Sequence, residues 1–320
     1  MRTALITGIT GQDGGYLAEQ LLGIGVVVHG LVRPGEELPS SLSALGNGVV
    51  LHAVDLSDVA NVGRVLQFTA ATEIYNLAGV SSVALSWEQP GLTAEVNGTF
   101  VAQLLQLVWQ EQERRGEQIA VVHASSAEIF ADAAAAPQDE STPLSPRTPY
   151  GASKAFAHHL VQISRARGLH ASNAILYNHE SPRRPTSFVT RKITSRVAAI
   201  AAGTASELEL GNLDARRDWG WAPEYVDAMV RLARHTEGTD VVVATGVSHT
   251  VADFVAAAFA RVGIFDWQGL VTTNPALVRP VDAVELVGNP ARARDLLGWE
   301  PRVGFTELVG RMVDADLLPG

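Results

Sequence analysis

A glycine-rich turn between the first strand-like and the first helix-like segment places the strongest constraint on how this chain can fold. Gly8, Gly11 and Gly14 are spaced by three residues, after the apolar run Arg2–Thr7 and at the start of the amphipathic stretch Gly14–Leu22. Glycines at this spacing let the backbone turn tightly and approach a phosphate, while the helix start supplies N–H groups without partners. The pattern predicts a dinucleotide-binding turn, with a plain β–α turn as the simpler alternative. Its residues are Gly8, Thr10, Gly11, Gln12, Asp13 and Gly14.

Apolar runs and amphipathic stretches alternate through the first half of the chain, as in βα units. The apolar runs are nearly continuous, as expected of a parallel sheet covered on both faces. Parallel strands need right-handed crossovers, so the predicted class is α/β with a doubly wound parallel (Rossmann) sheet. Strands are predicted at Arg2–Thr7, Val26–Val32, Val49–Val54, Glu73–Ala78, Gln118–Ala124 and Ala171–Tyr177, and helices at Gly14–Leu22, Asp58–Thr69, Thr93–Arg115 and Tyr150–Arg167.

Composition and charge exclude several classes of protein. The 320 residues include no cysteine, so disulfides and thiolate catalysis are excluded, which agrees with a cytoplasmic protein. No run approaches about 18 uninterrupted apolar residues, so we expect no membrane span. The formal net charge of −10 disfavours nucleic acid as a partner. An anionic small molecule can still bind where arginines concentrate, and we predict no metal site.

The residues that follow the second, third and fourth strands indicate which dinucleotide binds. The second strand ends in Leu31-Val32-Arg33, where a cation suits the 2′-phosphate of NADP and an acid would suit NAD. A lone surface arginine is the alternative. Asp55, followed by Leu56, can accept from the adenine amino group. After the fourth strand, Leu77, Ala78 and Gly79 place small side chains where the cofactor must pass.

Prolines interrupt shorter segments beyond about residue 178, which suggests a second region. We therefore predict that residues 1–177 form the NADP-binding Rossmann domain and that residues 178–320 form a smaller, mainly substrate-binding region. Segments at about 212–247 are expected to return to the first domain. The stretch Ala131–Pro146 is interpreted as an exposed loop without chemical interest.

Two short motifs carry candidate catalytic residues. Tyr150 and Lys154 are four residues apart, hence on one face of a helix, and a lysine ammonium favours the phenolate of a nearby tyrosine. An amphipathic helix alone would also explain this spacing. Ser126 and Glu128 follow a predicted strand, at the sheet edge where ligands of such folds bind. Glu128 can serve as the base that removes a proton next to a ketone, and a surface carboxylate is its alternative.

The glycine turn, the serine at a strand end and the Tyr/Lys pair together resemble the extended short-chain dehydrogenases/reductases that act on nucleotide sugars. Longer stretches resemble the GDP-mannose 4,6-dehydratases within that family, and the resemblance extends over nearly the whole chain. These stretches are Gly8–Leu22, Asn178–Arg184 with Phe188–Ile193, Leu210–Gly220 and Leu297–Pro301.

The resemblance implies an NADP-dependent lyase that converts GDP-mannose to GDP-4-keto-6-deoxymannose by hydride transfer from C4 to C6. In that reaction Tyr150 removes the 4-hydroxyl proton, Glu128 removes the C5 proton, and Ser126 holds the 4-oxygen. Lys154, His179, Arg184 and Ser81 are implied to bind the cofactor. The implied substrate contacts are Ser82, Ser126, Asn178, Lys192, Leu210, Gly211, Arg217, Arg279 and Asp282.

Some positions depart from the usual pattern of the family. Val80 and Ser82 replace a usual glutamine and histidine, and Ala127 stands where some sugar-nucleotide dehydratases place an acid. The segment Pro34–Asn47 lacks the arginine- and serine-rich stretch that many relatives use for the 2′-phosphate and for tetramers. A homodimer is therefore expected before a tetramer. The alternatives are a 4-epimerase or 4-keto reductase of the same family, or a non-catalytic protein that senses a dinucleotide.

Overall fold

The computed structural model describes residues 2–277 and 285–318. In these ranges the strands are β1 Thr3–Thr7, β2 Val27–Val32, β3 Val49–Ala53, β4 Glu73–Asn76, β5 Ala120–Ser126, β6 His170–Leu176, β7 Asn178–Glu180, β8 Leu208–Leu210, β9 Arg216–Trp221, β10 Asp240–Val243, β11 Ser248–Thr250, β12 Val271–Thr273 and β13 Glu285–Leu286. The helices are α1 Gln12–Gly23, α2 Ser40–Ser43, α3 Val59–Thr69, α4 Val83–Glu88, α5 Pro90–Ala94, α6 Phe100–Arg115, α7 Pro149–Ala166, α8 Val189–Ala201, α9 Ala222–Ala233, α10 Val251–Arg261, α11 Ala291–Leu297 and α12 Phe305–Leu317.

The large sheet has seven parallel strands in the order β10-β6-β5-β4-β1-β2-β3. The chain runs outward in one direction from β1 to β3 and in the other from β4 to β10. The reversal between β1 and β4 opens a crevice at the carboxyl ends of these strands, which is where such sheets bind ligands. The predicted fold class, a doubly wound parallel sheet, is confirmed.

Apolar residues cover both faces of this sheet, which explains the continuous apolar runs in its strands. On one face, Leu17 and Leu21 of α1 pack in a cluster with Tyr225 and Met229 of α9. On the other face, a second cluster joins α3, α6 and α7. Helix α9 and strand β10 come late in the chain, but α9 covers the large sheet and β10 forms its edge strand.

A separate apolar cluster holds the C-terminal region together. Val197 of α8, Phe254 of α10 and Met312 of α12 pack with Trp219 of β9. In the sheet beside them, β9 pairs in parallel with β7 and β13 and antiparallel with β11. Because β7 follows β6 after a single residue, the second sheet starts at the carboxyl end of the first. The crevice therefore has a wall from each sheet.

One predicted helix is interrupted. In place of a single helix over Thr93–Arg115, a wider π turn at Glu95–Thr99 separates α5 from α6. This turn directs Asn97 inward, where its side-chain amide donates to the carbonyl of Val80 and its oxygen accepts from the Val80 N–H. Such π turns are often found at functional sites. The periodicity of the helix did not reveal it, because both halves continue the same apolar face.

The interpretation of Ala131–Pro146 as an exposed loop is correct for most of the segment and wrong for Gln138. The segment is irregular, but Gln138 is buried, and its side-chain oxygen accepts from the Tyr177 hydroxyl at 2.9 Å. Its backbone also bonds to Val287 and Asn289. Gln138 is buried because it bridges the end of β6 and the chain after β13, partners far away in sequence. Among the described residues, no helix is both long and apolar enough to cross a membrane.

Candidate active site

A cavity of about 450 Å³ lies between the carboxyl edge of the large sheet and the second sheet. The predicted site residues on its walls are Asp13, Leu77, Gly79, Ser81, Ser82, Ser126, Glu128, Tyr150, Lys154, Asn178, His179, Arg184, Lys192, Leu210, Gly211 and Arg217. They come from segments up to 204 residues apart in sequence, from Asp13 to Arg217. The fold therefore gathers most of the predicted residues around one space.

The glycine turn closes so tightly that side chains are excluded from two of its positions. Gly8 has a φ of +70°, and a Cβ there would lie 2.8 Å from the backbone nitrogen of Ala78. A Cβ on Gly14 would lie 2.4 Å from the carbonyl oxygen of Gly8. Gly11 precedes α1 without a side-chain cap, so the first N–H groups of that helix lack an intrahelical partner. A cradle of this kind fits the pyrophosphate of a dinucleotide.

The loops that flank this turn hold the other predicted dinucleotide contacts. The Thr7 hydroxyl accepts from the N–H groups of Leu77 and Ala78, both at 3.1 Å, which fixes the end of β4 against β1. The Asp55 carboxylate accepts from the N–H and the hydroxyl of Ser57. Leu56 follows in the same loop and packs against the second core cluster. The cavity walls include neither Asp55, Leu56 nor Arg33, although these loops belong to the same edge of the sheet.

The helix α7 places Tyr150 and Lys154 at the base of the cavity. Pro149 occupies its first turn, and the Thr148 side chain caps it by accepting from the Gly151 N–H. Lys154 Nζ donates to the carbonyl oxygen of Ala124 at 2.8 Å and lies 6.0 Å from the centre of the Tyr150 ring. Both side chains are buried, so the helix spacing brings the phenol and the ammonium together away from water.

Burial shifts the pKa of both groups. Burial lowers the pKa of Lys154 to about 8 because the ammonium loses hydration, although the charge of Asp13 acts in the opposite direction. Burial also raises the pKa of Tyr150 to about 12, against a hydrogen bond from Ser126 that lowers it. The pair is therefore a neutral phenol beside an ammonium that loses its proton easily.

Ser126 and Glu128 stand opposite this pair, at the end of β5. The Ser126 hydroxyl accepts from the Glu128 N–H at 3.2 Å, which starts a short 3₁₀ turn and aims the segment at α7. A Cβ on Gly151 would lie 2.6 Å from the Glu128 carbonyl oxygen, so a glycine is needed for this close approach. The charge of Glu128 raises the pKa of Tyr150, and Ser126 bonds to the same phenol. A hydroxyl, a carboxylate and a phenol thus line the same part of the cavity.

His179 and Arg184 form the wall between the two sheets. His179 is buried, and its Nε2 lies 2.8 Å from a carboxylate oxygen of Asp13. The Arg184 guanidinium lies over the Phe188 ring and 3.4 Å from a carboxylate oxygen of Glu180. Both predicted residues therefore line the cavity. Each also lies beside an acid that was not predicted as its partner, Asp13 for His179 and Glu180 for Arg184.

Cations on the substrate side separate into two groups. Arg217 and Lys192 line the cavity, together with the predicted residues Asn178, Leu210 and Gly211. Three further arginines that are near in sequence instead form ion pairs with acids outside the cavity walls. These are Arg183 with Glu19, Arg191 with Asp316, and Arg216 with Glu285. Arg279 and Asp282, the remaining predicted contacts, lie outside the described residues.

Several residues of the site were not predicted. Glu180 is buried at the cavity wall and accepts from the Thr190 hydroxyl at 2.7 Å. Ser125, also on the wall, lies 3.1 Å from Nδ1 of His158, whose Nε2 faces Asp240 at 3.5 Å. Glu180 lies within the distinctive stretch Asn178–Arg184, and that position was a signal in the sequence that could have identified it. His158 lies 33 residues after Ser125, and Asp240, the partner of His158, lies 115 residues after it, so no local pattern connects the three. Within residues 2–277 and 285–318, no cluster of His, Asp or Glu could hold a metal ion.

Sequence comparison relates this chain to known proteins. A sequence profile of the family described as GDP-mannose 4,6 dehydratase matches residues 5–312. GDP-mannose 4,6 dehydratase 1 of Arabidopsis thaliana is 43% identical, over 99% of this chain and 90% of that protein. GDP-mannose 4,6-dehydratase sdnI of Sordaria araneosa is 42% identical, over 99% of this chain. The chain spans 61% of the length of the Sordaria protein, which is therefore considerably longer.

A solved structure agrees with the fold over the whole chain. The UDP-glucose 4-epimerase of Thermus thermophilus, solved in complex with NAD, superimposes with a TM-score of 0.84. The match covers 98% of each chain at 27% sequence identity. The sheet and the second region of this chain thus share their arrangement with a nucleotide-sugar enzyme.

Proposed function

The chain belongs to the GDP-mannose 4,6-dehydratase family, and from this we propose that it is a lyase that dehydrates GDP-mannose to GDP-4-keto-6-deoxymannose. The observation that carries the proposal is the convergence of Ser126, Glu128 and Tyr150 on one wall of the cavity, with Lys154 beneath them. A reductase or a 4-epimerase needs the phenol and the ammonium but has no step that removes the C5 proton. A carboxylate at this point is required only for dehydration.

Tyr150 is the proposed base for the 4-hydroxyl. When bound, the nicotinamide supplies the site that accepts a hydride from C4 and returns it to C6. Lys154 keeps its ammonium beside the phenol and thereby favours the phenolate over its neutral form. Ser126, hydrogen-bonded to Tyr150, holds the sugar's 4-oxygen within reach of that phenol.

Glu128 is the proposed base for the C5 proton, which the 4-ketone makes acidic. Its backbone N–H is tied to the Ser126 hydroxyl, so the carboxylate is placed beside the group that orients the 4-oxygen. The C6 hydroxyl leaves with a proton as water. Ala127 offers no acid for that proton, so Glu128, Tyr150 or water delivers it. The hydride then returns to C6 and C5 takes back a proton, so the two protons removed from O4 and C5 equal the two delivered to the leaving hydroxyl and to C5. Loss of one water therefore leaves the overall reaction redox-neutral.

The GDP part is proposed to lie toward the second sheet. Arg217 and Lys192 supply positive charge for the diphosphate in a chain whose net charge is −10. The other proposed substrate contacts are Asn178, Leu210, Gly211 and Ser82 on the cavity wall, together with Arg279 and Asp282, which lie outside the described residues. In this division, residues 1–177 mainly hold the dinucleotide and residues 178–320 mainly hold the substrate.

NADP is the proposed dinucleotide. The glycine turn fits a pyrophosphate, and Arg33 directly follows β2, where the ribose 2′ position of such cofactors is recognised.

The proposed assembly is a homodimer. Phe156 and Ile163 lie seven residues apart on α7, hence on one face, and both are more than half exposed. An apolar helix face of this kind is suited to pack against a second copy.

Incubation of the purified protein with NADP and either GDP-mannose or UDP-glucose tests the proposed function. Mass analysis should show loss of one water from GDP-mannose only, with no net consumption of the dinucleotide. A product that keeps its C6 oxygen would indicate an epimerase, and stoichiometric consumption of NADPH with a keto sugar would indicate a reductase. If neither sugar nucleotide changes while NADP binds, a dinucleotide sensor replaces the dehydratase.

A further inference from the structure

The chain after β2 turns back on itself within four residues. Arg33-Pro34-Gly35-Glu36 forms a turn in which the Glu36 N–H donates to the Arg33 carbonyl at 3.1 Å. Proline at the second position and glycine with a φ of +75° at the third are typical of a type II turn. The turn brings the Glu36 side chain back over Arg33, the residue that the proposed function assigns to the 2′-phosphate.

Glu36 makes three hydrogen bonds at this place. One carboxylate oxygen accepts from the Arg33 N–H at 3.0 Å, and the other accepts from Arg33 Nη2 at 3.1 Å. The second oxygen also accepts from the Thr10 hydroxyl at 3.1 Å. Thr10 belongs to the glycine turn, so the Glu36 carboxylate joins the loop after β1 to the loop after β2. These two loops flank the ribose of a dinucleotide in folds of this type.

The Glu36 carboxylate is well ordered by this arrangement. Its side chain is 18% exposed, whereas the Arg33 side chain is 78% exposed. Burial alone would raise the pKa of Glu36, but the bonds from the Arg33 backbone and side chain and from Thr10 outweigh it, and the pKa is lowered. The group is therefore an anion at neutral pH, held where a phosphate on the ribose 2′-oxygen would seek the same two donors.

We propose that Glu36 is a specificity-determining residue. It weakens the binding of NADP but not that of NAD, and so reduces the ratio by which this protein prefers NADP. The inference rests on the proposed function, since it requires a dinucleotide in the crevice. A 2′-phosphate must displace the carboxylate from Arg33 and Thr10 and remain near its negative charge. A 2′-hydroxyl has no such conflict and can donate a hydrogen bond to the carboxylate.

The exposure of the Arg33 side chain determines how strongly Glu36 affects the binding of NADP. Water screens the ion pair between Arg33 and Glu36, so the pair opens easily and NADP still binds. Removing the charge at Glu36 should therefore tighten NADP about three- to tenfold and leave NAD unchanged or weaker. High salt should reduce this gain, because it screens the carboxylate from the phosphate.

The test is direct binding of NADP+ and of NAD+ to the full chain by calorimetry, without sugar nucleotide. The variants are Glu36→Gln and, as a control, Glu37→Gln, which removes the same charge one residue later from an exposed side chain. The ratio of the two dissociation constants should shift toward NADP in Glu36→Gln only. Equal shifts for both nucleotides, or the same shift in Glu37→Gln, would overturn the assignment of Glu36.

Failure of the inference and failure of the proposed function give different results. If the wild type binds dinucleotide and dehydrates GDP-mannose but Glu36→Gln keeps the wild-type ratio, only the role of Glu36 is wrong. If the wild type binds neither nucleotide, the premise of a dinucleotide crevice is overturned together with the role of Glu36. Thermal melting of each variant confirms that a changed ratio does not reflect partial unfolding.

Discussion

The imidazole Nε2 of His179 lies 2.8 Å from a carboxylate oxygen of Asp13, and this pair joins the glycine turn to the second sheet. His179 Nδ1 lies 2.7 Å from the Tyr177 carbonyl oxygen, and the ring stacks on Tyr225 at 4.8 Å between centroids. The Gln12 side chain also donates to the His179 carbonyl. The two walls of the crevice are therefore connected through polar contacts of Gln12 and Asp13 at the start of α1.

This pair should make stability depend on pH. Burial alone would lower the pKa of His179, but the charge of Asp13 and its hydrogen bond raise it above the ordinary 6.5. A raised folded-state pKa stabilises the fold below about 6.5, and that contribution is lost as pH rises through the folded value. For Asp13, burial acts to raise the pKa, but His179 lowers it below 3.8. Its contribution is therefore present above about 3.8 and lost as pH falls through the folded value.

Urea unfolding of Asp13→Asn against wild type measures this contribution. We expect a loss of about 1–2 kcal/mol at pH 5.5 that becomes smaller as pH rises through the raised pKa of His179. The control is Glu37→Gln, which changes the same charge at an exposed position and should show no such trend. A loss that stays constant over this range would mean that the charged pair does not contribute.

Replacing Glu128 by glutamine should remove the dehydration step selectively. The amide keeps the shape of the side chain but cannot take the C5 proton, so turnover of GDP-mannose should fall about 10²- to 10⁴-fold. Dinucleotide affinity, measured by calorimetry, should remain within about twofold of wild type, since the predicted dinucleotide contacts are unchanged. Near-wild-type turnover would show that another group is the base.

The Tyr150–Lys154 pair should appear in the pH dependence of catalysis. Because burial lowers the pKa of Lys154 to about 8, the pair loses its first proton near that pH. In a coupled pair the form with one proton fewer divides between phenol with amine and phenolate with ammonium, in a ratio that does not depend on pH, so the phenolate base also increases through this step. We therefore expect kcat/KM to rise with pH through a limb near 8. Steady-state rates between about pH 6 and 9.5 would show it, and Tyr150→Phe should lose both the limb and most of the rate.

Gly220 is expected to tolerate no side chain. A Cβ there would lie 2.2 Å from Cε2 of Tyr225, a fully buried ring that stacks on His179. Gly220→Ala should therefore cost about 1–3 kcal/mol of stability through overpacking, measured by urea unfolding. Gly91→Ala is the control, because a Cβ at that position meets nothing within 4 Å. Equal stability of the two variants would show that Tyr225 moves aside freely.

Local patterns in the sequence determined the sheet and the base of the site. Continuous apolar runs predicted the strands of the large sheet up to β6, and the glycine spacing predicted the turn before α1. The spacing of Tyr150 and Lys154 predicted that they share a helix face, as they do. Each of these features depends on residues a few positions apart, so helix or strand geometry converts the spacing directly into a position.

Only the tertiary structure decided which side chains meet across the chain. Arg183, Arg191 and Arg216 lie within 34 positions of one another, yet each is paired with an acid at least 69 residues away. Gln138 was assigned to an exposed loop, yet Tyr177 and Val287 enclose it. Glu36 reaches Thr10 across two loops. A charge or an amide satisfies its hydrogen bonds with whatever group the packed sheets bring near, and no spacing along the chain specifies that partner.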